Sequence, residues 1–196
     1  MKTKNLMQIL LAIVVGFTSC ETGSDNTPDN IVEYNSSKYT ISKGTFVDNG
    51  TSNYYGTADT HYDFDFYATD GTFIYNSAAE VIDVKAKIAI YAYMSSFGTS
   101  SFKTGTYTFI DDSNDSNLTA AQLKSKYENK SLFYEAGIVT GADMNTSLAN
   151  VKQILVTSGA IKVEGTKPNY TLTYDLVLEG GKTVKGSYFG TFKEAY

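Results

Sequence analysis

Apolar and polar positions alternate most regularly near the C-terminus. Tyr170, Leu172, Tyr174, Leu176 and Leu178 fall on every second residue, with Thr171, Thr173 and Asp175 between them. That is the period of a strand that buries one face. Gly180 and Gly181 then turn the chain, and Val184, Gly186, Tyr188, Gly190 and Phe192 share one face of the returning strand. A two-residue turn would set Leu176 opposite Lys185 and mix the faces, because a slip of one residue inverts every side chain. A three-residue loop, Glu179 to Gly181, restores the match. It predicts Leu176 opposite Val184, Leu172 opposite Tyr188, Tyr174 opposite Gly186 and Tyr170 opposite Gly190, with each glycine covered by a ring. Upstream, a four-residue loop from Gly165 to Pro168 would pair Val163 with Tyr170, Ile161 with Leu172 and Gly159 with Tyr174.

The same alternation recurs at Tyr62, Phe64 and Phe66, and at Ile88, Ile90 and Ala92. Further strands are expected at Lys38 to Val47, Thr72 to Tyr75, Thr104 to Ile110, Leu132 to Thr140 and Val151 to Thr157. A Gly-Thr-aromatic unit begins at Gly44, Gly71, Gly105 and Gly190, at spacings too irregular for a repeat and suited to hairpins. One short helix is expected from Thr119 to Tyr127, capped by Asn117 or Thr119, with Ala120, Leu123 and Tyr127 inward. The sum is about nine or ten strands, an all-β antiparallel barrel or a barrel-like two-sheet sandwich.

At the other end of the chain the pattern changes. Lys2 and Lys4 precede an apolar run from Leu6 to Phe17, interrupted by Gln8, and Thr18 and Ser19 lead to Cys20, the one Cys present. Residues 1–19 read as a secretory signal too short to span a bilayer. The junction resembles a bacterial lipobox, with Phe17 where that motif commonly has Leu, and the resemblance implies lipidation at Cys20. Residues 20–30 read as a polar tether and 31–196 as a single β domain.

Composition narrows the partners. The 196 residues include 16 Tyr, 11 Phe and 16 Gly but only two Pro and no Trp, and every basic residue is Lys. A net charge of −5 and the lack of Arg argue against nucleic acid and nucleotide ligands. Losing Lys2 and Lys4 with the signal would take the charge to about −7, so a lipid and not a basic patch must hold the domain at a membrane.

Few residues suggest chemistry. His61 stands among Asp59, Asp63 and Asp65, where a cation site or a His–carboxylate pair is conceivable. The residue types favour a solvated outer face opposite Tyr62, Phe64 and Phe66. No Gly-x-Ser-x-Gly elbow accompanies the single His, so no enzyme activity is expected. Asp111, Asp112 and Asp115, with Asn114 and Asn117, form an oxygen-rich segment without the central Gly and closing Glu of a calcium loop; it reads as a solvated turn, and no metal or other cofactor is expected. The tyrosines are more informative. Tyr170, Tyr174 and Tyr188 on an inner face need partners for their hydroxyls, which fits either a polar-lined ligand cavity or a packed core with hydroxyls at the rim. Tyr54, Tyr55, Tyr91 and Tyr93, if exposed, would make a stacking platform for sugars.

Two stretches carry a family resemblance. Ile90-Tyr91-Ala92-Tyr93 followed by Gly105 to Phe109, and Ser158 to Ile161 followed by Tyr170 to Leu176 and Gly181 to Phe192, resemble the hairpins of small outer-membrane lipoproteins of gut bacteria. The likeness spans about residues 60 to 192. It implies a lipocalin-like barrel, lipid-anchored at the bacterial outer membrane on its periplasmic or surface face. The expected role is a binding or accessory module for a small amphiphilic molecule, a glycan or a protein partner. The alternative is a structural or adhesive surface component.

Overall fold

The computed structural model describes residues 29–76 and 81–195. Cys20, the expected signal segment and nearly all of the expected tether lie outside the described residues. The described chain is all-β with one short α-helix. In chain order the strands are β1 (Ile31–Tyr34), β2 (Ser37–Thr40), β3 (Lys43–Ser52), β4 (His61–Thr69), β5 (Thr72–Asn76), β6 (Val81–Phe97) and β7 (Gly105–Phe109). Helix α1 (Ala120–Tyr127) follows, then β8 (Leu132–Ser147), β9 (Gln153–Thr166), β10 (Asn169–Leu178) and β11 (Thr183–Glu194).

Eight strands close into a barrel in the order β10-β9-β7-β8-β6-β4-β3-β11, and β11 pairs back onto β10. The neighbours are antiparallel except at β3–β11 and β7–β8, which run parallel, a departure from the wholly antiparallel expectation. Partner exchange explains both junctions. β11 pairs with β1 at Val184–Gly186 and with β3 only from Phe192. β7 enters between β8 and β9, which pair directly only at Gly137–Val139. The β1–β2 hairpin extends the wall beside β11, and β5 lies on the outer margin of β6.

The terminal hairpin has the expected register, with Leu176 opposite Val184 and Tyr170 opposite Gly190 across a loop at Glu179–Gly181. The ring-over-glycine expectation holds differently. A Cβ at Gly186 would strike the Ile31 carbonyl oxygen and Val32 Cα of β1, so this glycine allows close approach of a backbone; the ring over Gly190 is that of Tyr188, from its own strand. The β9–β10 register is also corrected. Tyr170 lies opposite Gly165, Leu172 opposite Val163, Tyr174 opposite Ile161 and Leu176 opposite Gly159, around a tight turn containing a cis Lys167–Pro168 bond. The true pairing differs from the expected one by two residues. Such a slip keeps the same side chains inward, so periodicity alone does not choose between them.

Other expected elements merge or divide. Lys38 to Val47 is split into β2 and β3, the segments at 151–157 and 159–163 form the single strand β9, and β1 adds a strand, which makes eleven. The helix begins where expected. Thr119 caps it, its Oγ accepting from Gln122 N while the Gln122 side chain accepts from Thr119 N at 2.9 Å, a capping box. Of its three expected inward residues, Tyr127 is buried, Leu123 half-buried and Ala120 exposed, because only the last turn meets the barrel.

The interior is packed with rings and aliphatic chains. Phe46, Phe66, Ile90, Met94, Ile138, Leu172 and Phe192 are at most 1% exposed. Phe66 alone meets the rings of Phe46, Phe64, Phe102, Tyr170 and Phe192 at centroid distances of 5.2–6.4 Å. A second apolar cluster sits outside the wall, where Tyr67, Ala89, Tyr91 and Val139 of β4, β6 and β8 are covered by Phe73 and Tyr75 of β5 and by Leu148. The middle of β6 is therefore buried on both faces and not half-buried.

Candidate functional site

The two tyrosine sets part company in the fold. Tyr170, Tyr174 and Tyr188 are 3–4% exposed and belong to the packed core. Burial raises all three phenol pKa values, that of Tyr174 most. Their rings pack among the interior side chains, and Tyr170 also lines a cleft at one barrel mouth. Tyr91 is corrected from exposed to 1% exposed; its hydroxyl donates to Gln153 Oε1, and Gln153 Nε2 donates onward to the Leu148 carbonyl at 2.8 Å. Tyr54, Tyr55 and Tyr93 are half-buried and keep an outward face.

The face bearing His61, Asp63 and Asp65 is not a freely solvated one. His61 is fully buried, with its ring 4.7 Å from Tyr54, 5.8 Å from Phe97 and 6.4 Å from Tyr55. Its Nε2 donates to the Lys130 carbonyl at 3.1 Å, which leaves Nδ1 to accept from the Thr60 hydroxyl at 2.8 Å. Burial lowers its pKa despite the Lys130 hydrogen bond and the nearby Asp63. A neutral imidazole with both nitrogens engaged pins the 53–60 loop to the wall. It has no free nitrogen for a substrate.

Beside it, the register of three strands assembles a row. Asp65 of β4 lies opposite Tyr93 of β6, which lies opposite Glu135 of β8. A bulge then places Tyr134 next to Glu135, since Met94 pairs with Phe133 and Tyr134 is the extra residue. Both side chains consequently face outward while Phe133 and Ala136 stay in the core. Tyr54 leans over the row, 6.2 Å from Tyr134 and 5.2 Å from Tyr127, and its hydroxyl hydrogen-bonds Ser95 Oγ.

Electrostatically the row is under-compensated. Desolvation raises the pKa of Asp63, Asp65 and Glu135, that of Asp65 to about 6 against the pull of Asn49 and with a further push from Asp63 and Glu135. Ser95 and Ser52 temper the shift of Asp63, yet its Oδ1 and Ser52 Oγ are buried without a hydrogen bond of acceptable geometry. None of the three carboxylates enters an ion pair among the described residues. The phenol of Tyr93 is pushed up to about 12, chiefly by burial and then by Glu135. Acceptors and ring faces side by side suit a ligand rich in hydroxyl or amine donors.

The Asp-rich turn serves structure. Asp115 accepts from the Tyr127 hydroxyl and pairs with Lys126, fastening α1 to the turn that precedes it. The Ser113 hydroxyl, followed by the Ser113 amide that donates to Asp111 Oδ1 at 3.0 Å, lowers the Asp111 pKa, and the Asp112 carbonyl accepts from Asp115 N at 2.9 Å. Among the described residues no group of three His, Cys, Asp or Glu is disposed to hold a metal. A cleft of ≈680 Å³ opens between Tyr39 and the Lys85–Lys87 stretch of β6. Its acid, Asp70, is already engaged by the amides of Lys87 and Ile88 at 3.0 and 3.1 Å.

Tyr134 and Glu135 are the residues that sequence reasoning missed. The signal was a break in alternation, Phe133 and Ala136 both apolar with two outward residues between them, which marks a bulge once the β6 pairing is known. No family model, no curated protein and no solved structure matches the chain.

Proposed function

We propose that the protein is a lipid-anchored binding module of the bacterial cell envelope that holds a neutral or amine-bearing glycan on the outer face of β4, β6 and β8. The observation that carries this reading is the row Asp65–Tyr93–Glu135, flanked by Tyr54 and Tyr134, with the carboxylates of Asp63, Asp65 and Glu135 in no ion pair among the described residues. The ring and aliphatic packing of the interior supports a surface site over an internal one. Sugar C–H faces stack on the phenol rings and sugar hydroxyls donate to the carboxylates, whereas uronate or sulfate groups are repelled by them. The anchor would be a lipid on Cys20, and the role asked of the domain is capture without turnover.

A glycan array probed with the folded domain tests the proposal. Binding should favour neutral and amino sugars over acidic ones. Tyr134→Ala and Glu135→Gln should each weaken it about tenfold, a loss of about 1.4 kcal/mol. Protein that binds no glycan, or whose glycan binding survives both substitutions, would overturn it. Mass analysis of protein from the native host, with acylated Cys20 expected, tests the anchor separately. The adhesive alternative has less support: the exposed apolar residues Ile74, Leu155 and Phe189 lie singly on β5, β9 and β11, strands that do not pair with one another.

A further inference from the structure

Four rings form a column at the barrel mouth. Phe46 and Phe64 are 5.0 Å apart and 14° from parallel; Phe64 and Phe102 are 4.5 Å apart at 5°, and Phe102 and Tyr107 5.3 Å apart at 5°. Phe46, Phe64 and Tyr107 sit on β3, β4 and β7, whereas Phe102 hangs from the loop joining β6 to β7. A flat slot one ring thick thus exists between two strand-borne rings, and a loop residue fills it.

The loop is fastened near both ends, with Gly98 N donating to the Thr60 carbonyl at 2.9 Å. Gly98 and Gly105 bound it with φ of +108° and +151°, a region that glycine alone enters freely. Lys103 is held, its amide donating to Ser96 Oγ at 3.2 Å and its carbonyl accepting from the Tyr107 hydroxyl. Thr99, Ser100 and Ser101 are exposed, which leaves 99–102 as the part able to withdraw. A cleft of ≈410 Å³ already opens above Phe102. Charge at its rim is unequal. Lys167 is paired with Asp48 at 3.7 Å and Glu194 at 3.0 Å, but Lys103 is exposed and in no ion pair among the described residues.

We propose that this mouth is a binding slot for one planar aromatic ring carrying a carboxylate, with Phe102 as its resting occupant. The ligand ring takes the place of Phe102 between Phe64 and Tyr107, and its carboxylate meets the Lys103 ammonium. Phe102 acts as an internal competitor, so apparent affinity is reduced by the fraction of molecules in which the slot is open.

Titration of the folded domain with naphthoate, followed by fluorescence and by the amide signals of the 98–107 loop, tests the proposal. Wild-type protein should bind weakly with shifts confined to that loop. Phe102→Ala should bind about tenfold or more tightly, because the competitor is gone. Lys103→Met should weaken naphthoate but not neutral naphthylmethanol, and non-planar cyclohexanecarboxylate should bind to neither protein. Phe102→Leu, which keeps an apolar plug without its flat ring, should give a smaller gain and decides the matter if Phe102→Ala does not fold. Absence of any gain in the folded variant overturns the proposal. Substitutions at Tyr134 and Glu135 should leave naphthoate binding unchanged, so this site and the glycan face fail or stand independently.

Discussion

The inner and outer faces of β4, β6 and β8 use the same aromatic vocabulary for opposite ends. Inside, Phe64, Phe66 and Phe133 meet other rings and aliphatic chains, and the phenols that join them bring their hydroxyls at a desolvation cost. Outside, towards the helix-bearing end, Tyr93, Tyr134 and Tyr54 stand beside Asp65, Glu135 and Asp63. The inner face gains its stability from contact between rings, whereas the outer one holds carboxylates that folding has partly desolvated and that enter no ion pair among the described residues. A strand that serves both faces thus joins a ring-packed side to one whose carboxylates are partly desolvated.

Removing one inner ring should have the largest effect. Phe66→Ala deletes five ring contacts in a residue 1% exposed and should cost about 3–5 kcal/mol in urea unfolding. Tyr134→Ala, 37% exposed on the outer face, should cost under about 0.5 kcal/mol. Equal losses for the two would erase the contrast between the faces. The next effect belongs to the wall. Gly186→Ala places a methyl group against the β1 backbone at a φ of +134°, and should cost about 1–3 kcal/mol while accelerating exchange of the β1 amides.

How much of this was legible in the sequence depended on how many independent constraints met at each element. Two constraints fixed the β10–β11 hairpin, a clean period of two and a loop whose length had to keep Leu176 away from Lys185. The β9–β10 pair had one, since a slip of two leaves Ile161 and Val163 inward either way; what selects the register is the close backbone approach at Gly159 and Gly165. The outer face was illegible for a different reason. Asp63, Asp65 and Tyr91 read as solvated because the groups covering them belong to other elements: the preceding 53–60 loop, whose Tyr54 bonds Ser95, and, over Tyr91, β5 and the Gln153 side chain. Local pattern records which face is polar, but not whether a distant segment lies over it.

The carboxylate row supplies a smaller, signed effect. Asp65 has its pKa raised to about 6 in the folded protein from 3.8, so the native state holds the extra proton between those values. Stability on this account falls as pH rises through that window and is lowest above about 6, the reverse of an ion-paired aspartate. Asp65→Asn should stabilise the protein by about 1–2 kcal/mol at pH 7 and flatten the slope between pH 4 and 6. If the row is the glycan face, the same substitution weakens binding, and wild-type binding declines below about pH 6 as Asp65 gains its proton. Gain of stability with loss of affinity would mark the row as a place where folding yields to recognition.

The smallest effect tests whether the cover over that face is separable from the barrel. Helix α1 is held through Tyr127, whose ring is 5.2 Å from Tyr54 of the 53–60 loop and whose hydroxyl donates to Asp115. The rest of the helix is largely exposed and held by the Thr119–Gln122 capping box. Thr119→Ala removes the cap and should cost about 1 kcal/mol. Because no buried ring of the barrel loses a neighbour, that cost should fall on local opening. Amides of Leu123 to Tyr127 should then exchange about fivefold faster while the urea midpoint of the whole domain stays put. A matching fall in the midpoint would instead tie the helix into the barrel's cooperative unit. The inner and outer faces would then be one structure energetically, and the stability difference expected between Phe66 and Tyr134 would narrow.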